Sequence, residues 1–248
     1  MKPTEKKPGT LSRATYEATL YQGAQPTLTL RANIFRLGGG HHSPGARRVN
    51  AHYQALSRRL ARWGKGPLSR RAAAAKRRAG PEGFSPYGMT VTHQVTRAAG
   101  GLLSLYHDHT ESDGVRAAVC RTADTWRLNT GTPVTLPMLC GGGKGVKKLL
   151  RLALQEAERQ APSNVPFTAP YRKALRRRFR RDRFYLTDEG VALFWEAKNT
   201  APAETGPVTV LIPYEAAGLE ADLSDALPAE GTTEKAPRQK KGRLFAGT

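Results

Sequence analysis

RFYLTDEGVALFW at residues 183–195, followed by VTVLIPY at 208–214, is the stretch on which the fold turns. Phe184–Leu186, Val191–Trp195 and Val208–Ile212 are short runs rich in β-branched and aromatic residues, and they read as three strands. Asp188-Glu189-Gly190 is a turn that folds the first two strands back on each other as a hairpin. Two helices lead into it. Lys144–Gln160 places Val146, Leu149, Leu150, Ala153 and Ala157 along one side. Ala169–Arg181 opens with Thr168 as N-cap and Pro170 in its first turn, and sets an apolar stripe of Tyr171, Leu175 and Phe179 against a solid arginine face.

Working outward, the centre of the chain reads as a meander. Tyr87–Thr96 alternates around Met89, Val91, His93 and Val95, Ala98–Gly101 turns it, and Leu102–His109 returns. Val115–Leu128 and a short strand at Pro133–Leu136 follow, and the short links make these pairings antiparallel. Upstream, Pro26–Phe35 alternates with Leu28, Leu30, Ala32 and Ile34 on one face. A helix from Arg47 carries Val49, Tyr53, Leu56, Leu60 and Trp63 at helical spacing, opposite Arg48, Arg58, Arg59 and Arg62. Gly64–Pro67 interrupts it before an alanine- and arginine-rich helix at Ser69–Ala79. The fold class is therefore α+β, a mixed, mainly antiparallel sheet with helices packed on one face. Residues 1–24 read as a flexible arm, 25–219 as a single domain with its core at 87–215, and 220–248 as a disordered tail.

The formal charge of the 248 residues is +20, and it is unevenly spread. Residues 1–181 hold 33 Lys and Arg against 9 Asp and Glu, whereas residues 182–248 hold 7 against 11. Such a field attracts polyanions: nucleic acid, teichoic-type polymers or anionic membrane. No run of apolar residues is long enough for a membrane span, and no secretory leader is visible, so the chain reads as cytoplasmic, or as extracytoplasmic if it is truncated. Cys120 and Cys140 form no CxxC pair, and the sequence leaves open whether they are two buried thiols or one disulfide.

Candidate chemistry is sparse. His107-Asp108-His109 is the most metal-like group, since His107 and His109 project to one face of a strand, but a third ligand would have to come from His93 or Asp113. His41-His42 reads as solvated surface, because adjacent side chains diverge. Cys140-Gly141-Gly142-Gly143-Lys144-Gly145 lies between a strand and a helix, yet lacks the Ser or Thr after the lysine and the earlier glycine of a phosphate loop. Ser104, His107 and Asp108 are close in sequence without a nucleophile elbow, and no pair among Glu111, Asp113 and Asp124 is singled out as acid and base. Arg172, Lys173, Arg176, Arg177, Arg178, Arg180 and Arg181 suit phosphate contacts or a plain solvated helix face. The residues therefore point away from an enzyme, a cofactor and a metal.

The segment FYLTDEG at 184–190, with VLIPY closing at 210–214 and Gly206 before the last strand, resembles the closing hairpin of the RsiV-like domain. That domain occurs in lysozyme-sensing anti-sigma factors and beside the catalytic domain of PdaC-type peptidoglycan deacetylases. LLSLY at 102–106 and NTGTPVTL at 129–136 match further family positions in the same order, so the likeness spans about residues 87–215. It implies a non-catalytic module that binds a protein or an anionic envelope polymer on its sheet face and on the loops at Thr110–Gly114 and Trp195–Gly206. The expected ligand contacts are His107, His109, Arg172, Arg176, Arg177, Arg180 and Trp195. The family's glycine-alanine-histidine motif is replaced here by His107-Asp108-His109, and a basic partner such as lysozyme would be repelled by this surface. The alternative is a basic protein that contacts nucleic-acid phosphates through its arginine-rich helices. Oligomeric state is not encoded in any of these patterns.

Overall fold

The structure, a computed structural model, describes residues 11–38, 43–160, 171–197 and 206–219. It begins with a hairpin, β1 (Leu11–Gln22) and β2 (Gln25–Leu37), turned at Gly23. This corrects the reading of residues 1–24 as a flexible arm, because β1 pairs with β2 along its whole length. Its signal was the alternation of Tyr16, Ala18 and Leu20, which pack against the core, with Glu17 and Thr19, which face water. Residues 1–10 lie outside the described residues.

Ser43 caps α1 (Pro44–Trp63) by accepting the Ala46 N–H at 3.1 Å, so the helix starts three residues earlier than Arg47. Gly64–Pro67 does not end it. The chain passes through a π-helical turn at Gly64–Leu68 into α2 (Ser69–Gly83). Gly64 has a reason to lack a side chain: a Cβ there would come within 2.9 Å of Leu30, so the turn lies flat on β2. The connection carrying both helices returns the chain parallel to β2, with Leu28 to Ala32 beside Tyr87 to Val91 of β3 (Tyr87–Ala99). Then β3, β4 (Leu102–Ser112) and β5 (Ala117–Arg127) form the expected antiparallel meander. The strand expected at Pro133–Leu136 is shorter. β6 is only Thr132–Pro133, and Leu136–Leu139 is a helical turn, α3, capped by Thr135.

After α3 come α4 (Gly143–Gln160) and α5 (Tyr171–Arg178), then β7 (Phe184–Leu186), β8 (Gly190–Trp195), β9 (Val208–Pro213) and the turn α6 (Tyr214–Ala217). Thr168 and Pro170 lie outside the described residues. The final strands form their own antiparallel sheet, ordered β7-β8-β9, so Phe184–Leu186 and Val208–Ile212 share it through β8. Gly190 is needed there. A Cβ would sit 2.1 Å from the Ile212 carbonyl oxygen, which forces glycine at the closest approach of β8 to β9.

The layers run helix, sheet, sheet, helix. Against one face of the six-stranded sheet, α1 and α2 bury Leu28, Leu30, Met89, Val91, Leu103 and Leu105 with Val49, Tyr53, Leu56 and Leu60. On its other face, Tyr106 and Ala123 meet Tyr185, Phe194 and Ala192 of the small sheet. The outer face of the small sheet packs Val191, Leu193, Trp195 and Val210 on α4 and Leu175 of α5. A bulge between Val95 and Arg97 swings Arg97 onto the inter-sheet side, where it donates to the Thr187 carbonyl at 3.3 Å. Ser104 joins the sheets at their centre: its hydroxyl sits 2.9 Å from Thr125 Oγ1 and accepts the Leu186 N–H at 2.8 Å. The class is α+β, with a mixed, mainly antiparallel sheet and helices on one face of each sheet.

Candidate ligand-binding surface

His107 and His109 do share a face of β4, but that face is covered. Both are buried beneath α1 and α2. Across the register His107 lies beside His93, with ring centroids 5.4 Å apart, and its ring hydrogen-bonds Thr122. Burial, with His93, His52 and His109 nearby, holds its pKa down at about 4 against the pull of Asp124. The imidazole is neutral at physiological pH. His109 is lowered too, mainly by burial, with Glu111 at 3.4 Å opposing. Glu111 is committed elsewhere, accepting the Trp63 indole N–H at 2.6 Å and lying 3.5 Å from Arg71. His107 and His109 are therefore core polar groups, and this corrects their reading as ligand contacts. No group of three or more His, Cys, Asp or Glu among the described residues is arranged to hold a metal ion.

Beside His107 the side chains form a network that the sequence did not disclose. Tyr53 of α1 donates to Asp124 Oδ2 at 3.0 Å and accepts the Trp126 indole N–H at 3.1 Å, while His52 stands 3.6 Å from the same carboxylate. Burial raises the Asp124 carboxyl, but its contact with His52, the nearness of His107 and the Tyr53 hydrogen bond outweigh that and leave it below the usual range. The Tyr53 hydroxyl is pushed well up by burial and by Asp124.

Trp195 is also core. It is 1% exposed, and its indole donates to the Leu175 carbonyl at 3.0 Å. The reason is that every residue of β8 is buried, because the strand is central in its sheet and covered on both faces. Trp195 is therefore removed from the expected contact set. Arg172, Arg176, Arg177 and Arg180 are exposed on or just after α5. Arg172 pairs with Glu158 at 2.5 Å and Arg180 with Asp182 at 2.8 Å, which spends part of the arginine face internally. Ser104 and Asp108 face the small sheet while His107 faces α1, so these three do not converge. Cys120 and Cys140 are free thiols. Burial raises both, Cys140 to about 11. In the glycine-rich segment, a Cβ on Gly145 would meet the Cys140 carbonyl oxygen at 1.8 Å, so the glycine there serves the tight entry into α4. His41-His42 lies outside the described residues.

What remains open is the part of the six-stranded sheet that the small sheet does not reach. Thr15, Glu17 and Thr19 of β1, Arg31 of β2 and Thr90, Thr92 and Gln94 of β3 are exposed there, in register across the strands. Glu17 and Arg31 pair loosely at 3.6 Å. Along the border with the small sheet stands a more ordered unit. Arg121 donates two bonds of 2.8 Å to Asp108 and lies 3.8 Å over the Tyr106 ring. It also reaches Thr209 at the start of β9, 3.4 Å away. Burial lowers the Arg121 pKa, but the hydrogen bonds to Asp108 outweigh it, and the guanidinium is firmly charged. Its neighbour Cys120 lies 4.0 Å from Glu196, at the end of β8, and Glu196 accepts from Arg183 at 2.6 Å. Cys120 and Arg121 of β5 thus reach residues that flank the small sheet, Glu196 after β8 and Thr209 in β9. Residues 198–205 lie outside the described residues.

These layers and registers define an α+β domain built on a curled mixed sheet, and two solved structures share that fold. One is a DUF3298 family member from Bacteroides fragilis NCTC 9343, with a TM-score of 0.63 and 16% identity over 83% of this chain and 90% of that one. The other is a DUF3298 family protein from Pseudomonas aeruginosa PAO1, with a TM-score of 0.56 and 17% identity over 85% and 93%. No family model and no curated protein matches the sequence. The likeness is to domains of unknown function, and it establishes the fold. No helix among the described residues is long and apolar enough to cross a membrane.

Proposed function

We propose that this chain is a non-catalytic binding module of the RsiV-like type, whose ligand is a protein or an envelope polymer engaged by the open sheet face and the Thr110–Gly114 loop. The observation that carries this reading is the placement of Arg121. It is a charged group held in two directions by Asp108 and Tyr106, at the rim of a flat polar face. The pair of Arg121 and Asp108 is 13% and 19% exposed and fixed in place, so it gives the border of that face a rigid polar edge that a ligand meets with little further loss of freedom. The hairpin likeness over residues 183–214 supports the same family reading. The buried histidines and the buried Ser104 have packing roles, which fits a surface that holds a ligand without reacting with it.

The test is co-sedimentation of the full chain with purified cell-wall sacculi that retain their anionic polymers. Retention that drops at least fivefold in Arg121→Ala and in Thr92→Trp, with folding intact, supports the proposal. Equal retention of all three proteins, or none for the wild type, overturns it. Retention on duplex DNA that falls steeply between about 50 and 200 mM salt, and is indifferent to Arg121, would point instead to the arginine helices.

A further inference from the structure

The π-helical turn between α1 and α2 packs on β2 through Gly64 and Leu68, and its outer side gathers cations. Residues 44–83 carry eleven Lys and Arg and a single acid, Glu82. Arg58, Arg62 and Lys65, with Ala61 and Gly66, line one open depression of about 600 Å³ at the turn. All three cations are exposed, and no carboxylate among the described residues pairs with any of them. The backbone there is unusual as well. A π turn widens the helix by one residue, and here Pro67, which has no N–H to give the α-helical ladder, lies inside it. Here it follows Arg62 and contains Lys65, setting that lysine beside Arg58 and Arg62 around a floor of small residues. Gly66 leaves that floor open, since a Cβ there would have only Arg70 Nη1 within 4 Å, at 3.9 Å. Three like charges held together repel one another, and a multivalent anion relieves that repulsion.

We infer that this turn is a phosphate-binding surface for a linear, base-free phosphodiester chain of the poly(glycerol phosphate) kind. Arg58 and Arg62 fork onto phosphate oxygens, and Lys65 neutralises the next charge along. Among the described residues no exposed ring lines this depression to stack a base, which favours a base-free chain over single-stranded nucleic acid. Of the two rings nearest the depression, Trp63 is half-buried with its indole donating to Glu111, and Tyr16 is half-buried with Lys65 over its ring at 5.5 Å. This surface lies on the opposite side of the six-stranded sheet from the open strand face. The two surfaces are separated by mutation: Arg58→Ala/Arg62→Ala leaves Arg121 in place, and Arg121→Ala leaves this turn in place.

The test measures binding of the full chain to fluorescently labelled poly(glycerol phosphate) across a salt series. Wild-type binding with a log–log salt slope of roughly −2 to −3, as three phosphate contacts would give, is expected. Arg58→Ala/Arg62→Ala should weaken binding at least tenfold and flatten the slope by about two, while Arg58→Lys/Arg62→Lys keeps most of the affinity. Lys147→Ala/Arg151→Ala on α4, which removes the same formal charge from another exposed helix face, should change affinity less than twofold. The inference is overturned if the α4 pair costs as much as the α1 pair, if the α1 pair costs nothing, or if oligo(dT) of equal charge binds more tightly.

Discussion

Replacing His107 tests how the interior of this domain responds to acid. The imidazole is 7% exposed and its pKa sits at about 4, whereas in the unfolded chain it returns to about 6.5. Between those two values the unfolded state binds a proton that the folded state refuses, so stability is full above pH 6.5 and is lost as the pH falls toward 4. The full shift of about 2.5 units corresponds to roughly 3.4 kcal/mol, and about 2.4 kcal/mol of it is lost between pH 7 and pH 4.5. His109 and the carboxylates add their own pH dependence, so the quantity to read is a double difference. Urea unfolding followed by tryptophan fluorescence, at both pH values, gives the stability loss for the wild type and for His107→Leu. The variant should lose about 2 kcal/mol less than the wild type on acidification, whatever its stability at pH 7. If the two proteins lose the same amount to within about 0.5 kcal/mol, His107 is not held neutral by burial and the account of this cluster is wrong.

Gly190→Ala should cost on the order of 3 kcal/mol in denaturant unfolding, because the added carbon meets the Ile212 carbonyl oxygen at 2.1 Å and β9 must move. A loss below about 1 kcal/mol would show that the hairpin yields easily. Ser104→Ala should cost about 1–3 kcal/mol by leaving the Leu186 N–H buried without its acceptor, and faster hydrogen exchange at Leu186 is the local readout. Cys140 should react with a thiol reagent at pH 8 roughly a hundred times more slowly than an ordinary exposed thiol, since burial raises it to about 11. Non-reducing electrophoresis mapped by peptide mass should find Cys120 and Cys140 unlinked, as the two free thiols of the structure require.

The class of fold was legible because most strands and helices keep one period over enough residues. Met89, Val91 and His93 alternate cleanly, and Val146, Leu149, Ala153 and Ala157 mark the buried side of α4, to which Leu154 is added and from which Leu150 is partly withdrawn. Partners were harder than elements. The parallel seam between β2 and β3 joins residues separated by two helices, and no local pattern announces such a pairing. The ion pair of Asp108 and Arg121 needs the register of β4 on β5, which the turn after Ser112 sets. Trp195 misled because a lone tryptophan at a strand end is easily taken for a surface anchor. The unbroken apolar run of Val191 to Trp195 already signalled a strand covered on both sides. His107 and His109 were correctly placed on one face, but that face was chosen by Val91 and Leu105, which need α1 over them.

Because β4 and β5 lend one side to the helix layer and the other to the small sheet, neither half of the molecule has a boundary of its own. A fragment cut at Tyr87 would keep the closing hairpin yet strip the cover from Met89, Val91, Leu103 and Leu105, leaving a greasy plane that invites self-association. The water-facing side of β1 to β3 can therefore vary by single residues, while β4 and β5 must change in concert on both sides at once.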